Sequence, residues 1–164
     1  MAAKNIAQAW EQVSAALQGK LEQPYRIFVA DGDEDMCHLN AEVLIEAGYD
    51  VGVATDGVGA WNAIQLASYD LLVTDNRLAR ISGLELLKNI RIASIDLPVI
   101  IVTEAPPEKK FRLPPWLTIE AVLFKPYSAD ELLAMVRNVL HTIHSVPDQI
   151  AGPQDRPPAD EPRL

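Results

Sequence analysis

Cysteine is nearly absent. Cys37 is the single cysteine in 164 residues, which excludes an internal disulfide and any cysteine-rich zinc site. Histidine is scarce as well, and His38, His141 and His144 are too scattered to form a metal-ligand cluster. Basic residues are outnumbered, with 14 Lys+Arg against 23 Asp+Glu and a formal charge of −9. Sequence-independent nucleic-acid binding needs cations to displace condensed counterions, so this balance argues against a nucleic-acid partner. No apolar run approaches the roughly 18–20 residues of a membrane span. The N-terminus also lacks the uninterrupted apolar block of a secretory signal. A cytoplasmic location with no membrane partner is therefore expected. What is present is an ordinary globular balance, 49% hydrophobic and 23% charged, long enough for one domain with its own core.

Composition divides the chain in three. Residues 145–164 hold five of the 12 prolines and only Val146, Ile150 and Leu164 as large apolar groups. Such a segment buries too little to offset its ordering entropy and reads as a disordered tail. Residues 1–23 place Ile6, Trp10, Val13 and Leu17 on one stripe of a helix, stopped by Gly19 and Pro24. That helix packs on its own domain or forms a partner contact, such as a homodimer; the two readings stand level.

Residues 24–144 alternate strand-like and helix-like patterns. Strands are expected at Arg26–Ala30, Val51–Thr55, Leu71–Thr74, Pro98–Thr103 and Ala121–Phe124. The intervening helices carry apolar stripes at Met36, Leu39, Val43 and Ala47, then at Val58, Trp61 and Ile64, and last at Leu133, Val136, Leu140 and Ile143. Gly48 closes the first. Ser82 with Glu85 and Ser128 with Glu131 read as capping boxes. Continuous apolar runs are strands buried on both faces, and right-handed crossovers then give an α/β fold with a parallel sheet. The expected architecture is a flavodoxin-like, doubly wound, five-stranded sheet of order 2-1-3-4-5, with its site at the carboxyl ends of the strands.

Four polar residues stand at those ends: Asp31, Asp75, Thr103 and Lys125. Singly each is ordinary, a turn former or a solvated lysine. Jointly they suit transfer of a phosphoryl group to a carboxylate. Asp75 is the nucleophile, Lys125 supplies fixed positive charge, and the Thr103 hydroxyl hydrogen-bonds a phosphoryl oxygen. A divalent metal between the acids offsets the donor's negative charge. Mg²⁺ takes oxygen ligands and keeps waters, so two carboxylates and one backbone carbonyl suffice.

The stretches FVADGDEDM (28–36), YDLLVTDNRLARISGLELL (69–87), LPVIIVTE (97–104) and FKPYSADELL (124–133) together resemble the receiver domain of bacterial two-component response regulators. The resemblance implies Asp75 as phosphoacceptor, Thr103 as switch hydroxyl and Lys125 as the characteristic lysine. It implies Asp31, Asp75 and the backbone carbonyl of Arg77 as Mg²⁺ ligands, and a cis Lys125–Pro126 bond. A histidine kinase or phosphotransfer protein would supply the phosphoryl group.

The sequence departs from that pattern at several positions. Gly32 replaces the usual second acid after strand one, which predicts weak Mg²⁺ binding. Asp33 either reaches into the pocket or caps the next helix, and the cap is the favoured reading. Glu104 stands where the family has a small residue; it points to solvent or pairs with Lys125. Val122 replaces an aromatic. Two proline pairs, Pro106–Pro107 and Pro114–Pro115, leave six residues between them where the family has its fourth helix. Proline inside a helix removes a donor and clashes, so that helix is expected to be shortened or replaced by a loop, with Trp116 and Phe111 filling the space.

Three functions follow. The first is a single-domain, non-enzymatic receiver that signals to an unidentified downstream protein by contact. The second is a pseudo-receiver, a binding module that no longer cycles phosphate, suggested by Gly32 and Glu104. The third is a phosphatase resembling the haloacid-dehalogenase type, from Asp31-Gly32-Asp33, which fits the segment after Phe124 poorly.

Overall fold

A computed structural model of the chain describes residues 24–104 and 113–144, together with Glu11. The expectations for the N-terminal stripe, the tail, Phe111 and the first proline pair lie outside the described residues. The described elements run β1 (Arg26–Ala30), α1 (Glu34–Glu46), β2 (Asp50–Ala54), α2 (Gly57–Leu66), β3 (Leu71–Asp75), α3 (Gly83–Ile92), β4 (Val99–Thr103), β5 (Ala121–Phe124) and α4 (Ala129–His144). All five strands are parallel in one sheet of order β2-β1-β3-β4-β5, as the alternation predicts. No helix among the described residues is long and apolar enough to cross a membrane.

The period of two along a strand builds two cores. Ile27 and Val29 of β1, Leu71 and Val73 of β3 and Ile100 and Val102 of β4 face α1 and α4, meeting Leu44, Leu132 and Val136. The alternate residues Phe28, Leu72, Val99 and Ile101 face α2 and α3, meeting Ile64, Leu86 and Ile90. The central strands β3 and β4 are buried throughout, whereas the edge strands β2 and β5 are only partly covered.

Two expected stripes are displaced. On α1 the buried residues are Cys37, Asn40, Ala41 and Leu44, not the four expected, and Leu39 is 53% exposed. On α2 they are Gly57, Ala60 and Ile64, with Trp61 only partly buried. In both helices small side chains face the sheet and let the helix lie close, so the face toward the core is not the face with the largest apolar groups. On α4 the expected Val136 and Leu140 are buried alongside Leu132 and Val139, while Ile143 is 37% exposed.

Both capping boxes form. Ser128 N donates to Glu131 Oε2 at 2.7 Å and Glu131 N to Ser128 Oγ at 3.2 Å. Ser82 and Glu85 do the same at 2.9 and 3.2 Å. Gly48, at φ +96°, follows the last residues of α1.

Between β4 and β5, the described residues 113–120 contain no helix. Leu117 is 2% exposed, and Leu113 and Ile119 pack beside it on the α2/α3 core. Trp116 is 55% exposed, so it does not fill the space; the smaller leucine does. Arg91 ties the segment down, donating through Nη1 to Leu97 O at 2.8 Å and through Nη2 to Thr118 O at 3.1 Å.

Candidate functional site

The same alternation that orients the cores carries on past the strand ends. Asp31 continues the Ile27–Val29 series, Asp75 the Leu71–Val73 series, and Lys125 the Leu123 side of β5. These three residues converge. Lys125 Nζ donates to Asp75 Oδ2 at 2.5 Å and to Asp31 Oδ2 at 3.3 Å. Asp31 and Asp75 are 3% and 6% exposed. Buried carboxylates need compensating charge or donors. Asp75 receives a second donor from Arg77 N at 2.8 Å, and Asp31 one from Asp33 N at 3.0 Å.

Burial acts to lower the pKa of Lys125. The hydrogen bond and charge of Asp75, followed by the charge and hydrogen bond of Asp31, outweigh that effect and raise it above its ordinary value. The peptide bond after this lysine, Lys125–Pro126, is cis as expected.

Thr103 ends β4 at the same edge and is 6% exposed. Its carbonyl accepts from Lys125 N at 2.9 Å. Across the sheet, Asp75 pairs in register with Val102, the residue before Thr103. Val122, in place of the aromatic, is half-buried.

Other residues bind this edge together without having been singled out from sequence. A Cβ at Gly83 would meet the carbonyl oxygen of Asp75 at 2.5 Å, so only glycine lets α3 begin against the end of β3. Buried Asn40 of α1 donates to the Tyr127 hydroxyl at 2.9 Å, fixing the loop that carries Lys125. Burial raises the pKa of Tyr127, which keeps it protonated. Neither contact leaves a local signal, since each joins positions far apart in the chain.

Asp33 is a cap. Its Oδ1 accepts from Asp35 N and Met36 N at 3.0 and 3.2 Å, and it does not join the pocket. That also removes the second acid of the Asp31-Gly32-Asp33 pattern from the site. Glu104 pairs not with Lys125 but with Arg77, whose guanidinium reaches across from the loop after β3.

A Cβ at Gly32 would lie 3.0 Å from the carbonyl oxygen of Arg77. That carbonyl therefore borders the loop after Asp31, at the position where the missing acid would project. Two buried carboxylates and a backbone carbonyl make an all-oxygen donor set, which fits Mg²⁺. Among the described residues no group of three or more acidic, His or Cys side chains is gathered.

A family model described as the response regulator receiver domain matches residues 27–137. The chain belongs to this family. Receivers are signalling modules of two-component systems rather than classical enzymes, and they generally bind Mg²⁺ at the site of phosphorylation.

Sensor protein EvgS of Escherichia coli O157:H7 is 31% identical over 142 residues, 83% of this chain and 12% of EvgS. Transcriptional regulatory protein DltR of Streptococcus agalactiae serotype III is 32% identical over 114 residues, 68% of this chain and 50% of DltR. This receiver thus spans half or less of these curated relatives. Among solved structures, the receiver domain of Francisella response regulator 1452 is similar with a TM-score of 0.66 and 31% identity, covering 73% of this chain and 98% of that one. Chemotaxis response regulator CheY4 of Vibrio cholerae gives 0.66 and 26%, covering 71% and 98%.

Proposed function

We propose that this receiver accepts a phosphoryl group on Asp75 and signals by protein–protein contact. The observation that carries the reading is the Lys125 ammonium held between two buried carboxylates at the carboxyl edge of the sheet. A carboxylate oxygen of Asp75 attacks the phosphorus of a phosphohistidine or acyl phosphate. The new O–P bond forms as the donor's N–P or O–P bond breaks, and the leaving group departs with the electron pair. Lys125 then holds a phosphoryl oxygen by a charge-assisted hydrogen bond, and the Thr103 hydroxyl donates to another. Asp31, Asp75 and the Arg77 carbonyl would hold Mg²⁺, which would supply positive charge against the incoming donor. A histidine kinase or phosphotransfer protein is the donor, and an unidentified downstream protein receives the signal.

The experiment is labelling of the purified chain by acetyl phosphate with Mg²⁺, expected in the wild type and absent in Asp75→Asn. No labelling at any Mg²⁺ concentration would overturn the reading. Gly32→Asp places a carboxylate beside the Arg77 carbonyl and is expected to lower the Mg²⁺ concentration needed. A second reading, favoured by the missing acid at Gly32, is a pseudo-receiver that keeps the fold as a binding module. Titration with Mg²⁺ and beryllofluoride separates the two: amide shifts around Asp75 and Thr103 support acceptance, and silence supports the pseudo-receiver.

A further inference from the structure

The loop after β3 carries a cation that the acceptor reading leaves without a task. Arg77 donates its backbone N–H to Asp75 Oδ1 at 2.8 Å, while its guanidinium is paired with Glu104. Asp75 and Val102 are register partners, so Arg77 and Glu104 each stand two residues beyond them. The ion pair therefore joins the loops that leave β3 and β4, two residues past Asp75 on one side and directly after buried Thr103 on the other.

We propose that Arg77 and Glu104 form an exchangeable latch at the acceptor. Glu104 holds the guanidinium in the resting protein, and the phosphoryl group takes it over during transfer. The inference rests on acceptance by Asp75. Four features favour the exchange. The side chains of Arg77 and Glu104 are 68% and 56% exposed, and water-screened pairs of this kind separate easily. A phosphoryl group carries close to two negative charges and three acceptor oxygens, against one charge on Glu104. The planar guanidinium matches phosphoryl oxygens two at a time. Lys125 already serves two carboxylates, so a cation besides Lys125 and Mg²⁺ still finds phosphoryl charge to pair with, and Arg77 is tethered at the spot by its own backbone.

With acetyl phosphate, the Asp75 oxygen bonds to phosphorus as the acetate oxygen leaves with its electron pair. The guanidinium moves from Glu104 to the phosphoryl oxygens, and Glu104 turns to solvent. Glu104 thus restrains phosphorylation by occupying Arg77, not by repelling the donor.

The test is the initial rate of Asp75 labelling by acetyl phosphate at fixed Mg²⁺ in wild type, Glu104→Gln, Arg77→Ala and the double variant. Glu104→Gln is expected to raise the rate, and Arg77→Ala to lower it, each by on the order of threefold. In the Arg77→Ala background, Glu104→Gln is expected to add nothing. An equal gain from Glu104→Gln with and without Arg77 would make Glu104 a simple repelling charge and overturn the latch, as would no effect of Arg77→Ala. As a readout free of turnover, the Arg77 Nε–H resonance is expected to shift on adding beryllofluoride and Mg²⁺. A stationary resonance beside shifted Asp75 and Thr103 amides would overturn the latch alone. Failure of the wild type to label at Asp75 would overturn the acceptor reading, and the latch with it.

Discussion

Lys125 is the one cation bonded to Asp31 and Asp75 among the described residues, and its loss would leave both carboxylates buried without it. Removing one partner of a buried ion pair costs about 3–5 kcal/mol. Lys125→Met is expected near the lower end, because the side chain is 19% exposed, and urea denaturation measures it. Asp75→Asn works the other way: two carboxylates share one ammonium, and the amide relieves their mutual repulsion. It is expected to abolish phosphoryl acceptance while leaving the melting temperature unchanged or a few degrees higher. A large drop in Tm would show that the aspartate serves the fold. The folded protein binds the Lys125 proton more tightly than the unfolded chain does. This contribution is therefore complete below the ordinary value of 10.5 and is lost as pH rises through the raised folded value. Stability of the wild type should fall more steeply above that pH than stability of Lys125→Met. Asp31, Asp75, Thr103 and Lys125 were legible in sequence because each ends an apolar run, where the topology fixes position. The Arg77–Glu104 pair was not, since pairing of two long exposed side chains depends on the paths of two separate loops.

At the scale of elements, the strands were legible and the faces of two helices were not. A strand buried on both sides is apolar along nearly its whole length, so RIFVA, LLVT and VIIVT mark themselves. A helix packed close to a sheet is read by its small residues, and α1 turns Cys37, Asn40 and Ala41 inward while Leu39 stays exposed. Its N-terminus gives a clean test of what Asp33 does. Asp33→Ala removes the acceptor for two backbone donors and should cost about 1 kcal/mol, with acetyl phosphate labelling unchanged. Reduced labelling at intact fold would return Asp33 to the pocket. The segment at 113–120 yields a second. Leu117 is buried on the α2/α3 core and Trp116 is not. Leu117→Ala should cost about 2–4 kcal/mol, and Trp116→Ala less than about 0.5. The reverse ranking would restore the tryptophan as the core residue, the reading that residue size alone suggested.

At the scale of the whole molecule, the net charge and the cations of the site act on a phosphoryl donor in opposite directions. The chain has a formal charge of −9, so an anionic donor is repelled while it is still distant. Within the site the donor meets Lys125 and, once the latch exchanges, Arg77. Salt separates the two ranges. Raising ionic strength from 0.01 to 0.15 M shortens the screening length from about 30 to about 8 Å, which removes most of the long-range repulsion. Contacts inside a part-buried pocket are screened much less. Labelling by acetyl phosphate should therefore accelerate with added salt, by on the order of twofold across that range, at constant free Mg²⁺. The Arg77→Ala variant should show the same acceleration from a lower starting rate, because its missing cation acts only at contact. A rate that falls with salt in the wild type but not in Arg77→Ala would mean that the guanidinium already draws the donor in from a distance. That result would make the loop after β3, and not the net charge, the feature governing approach to Asp75.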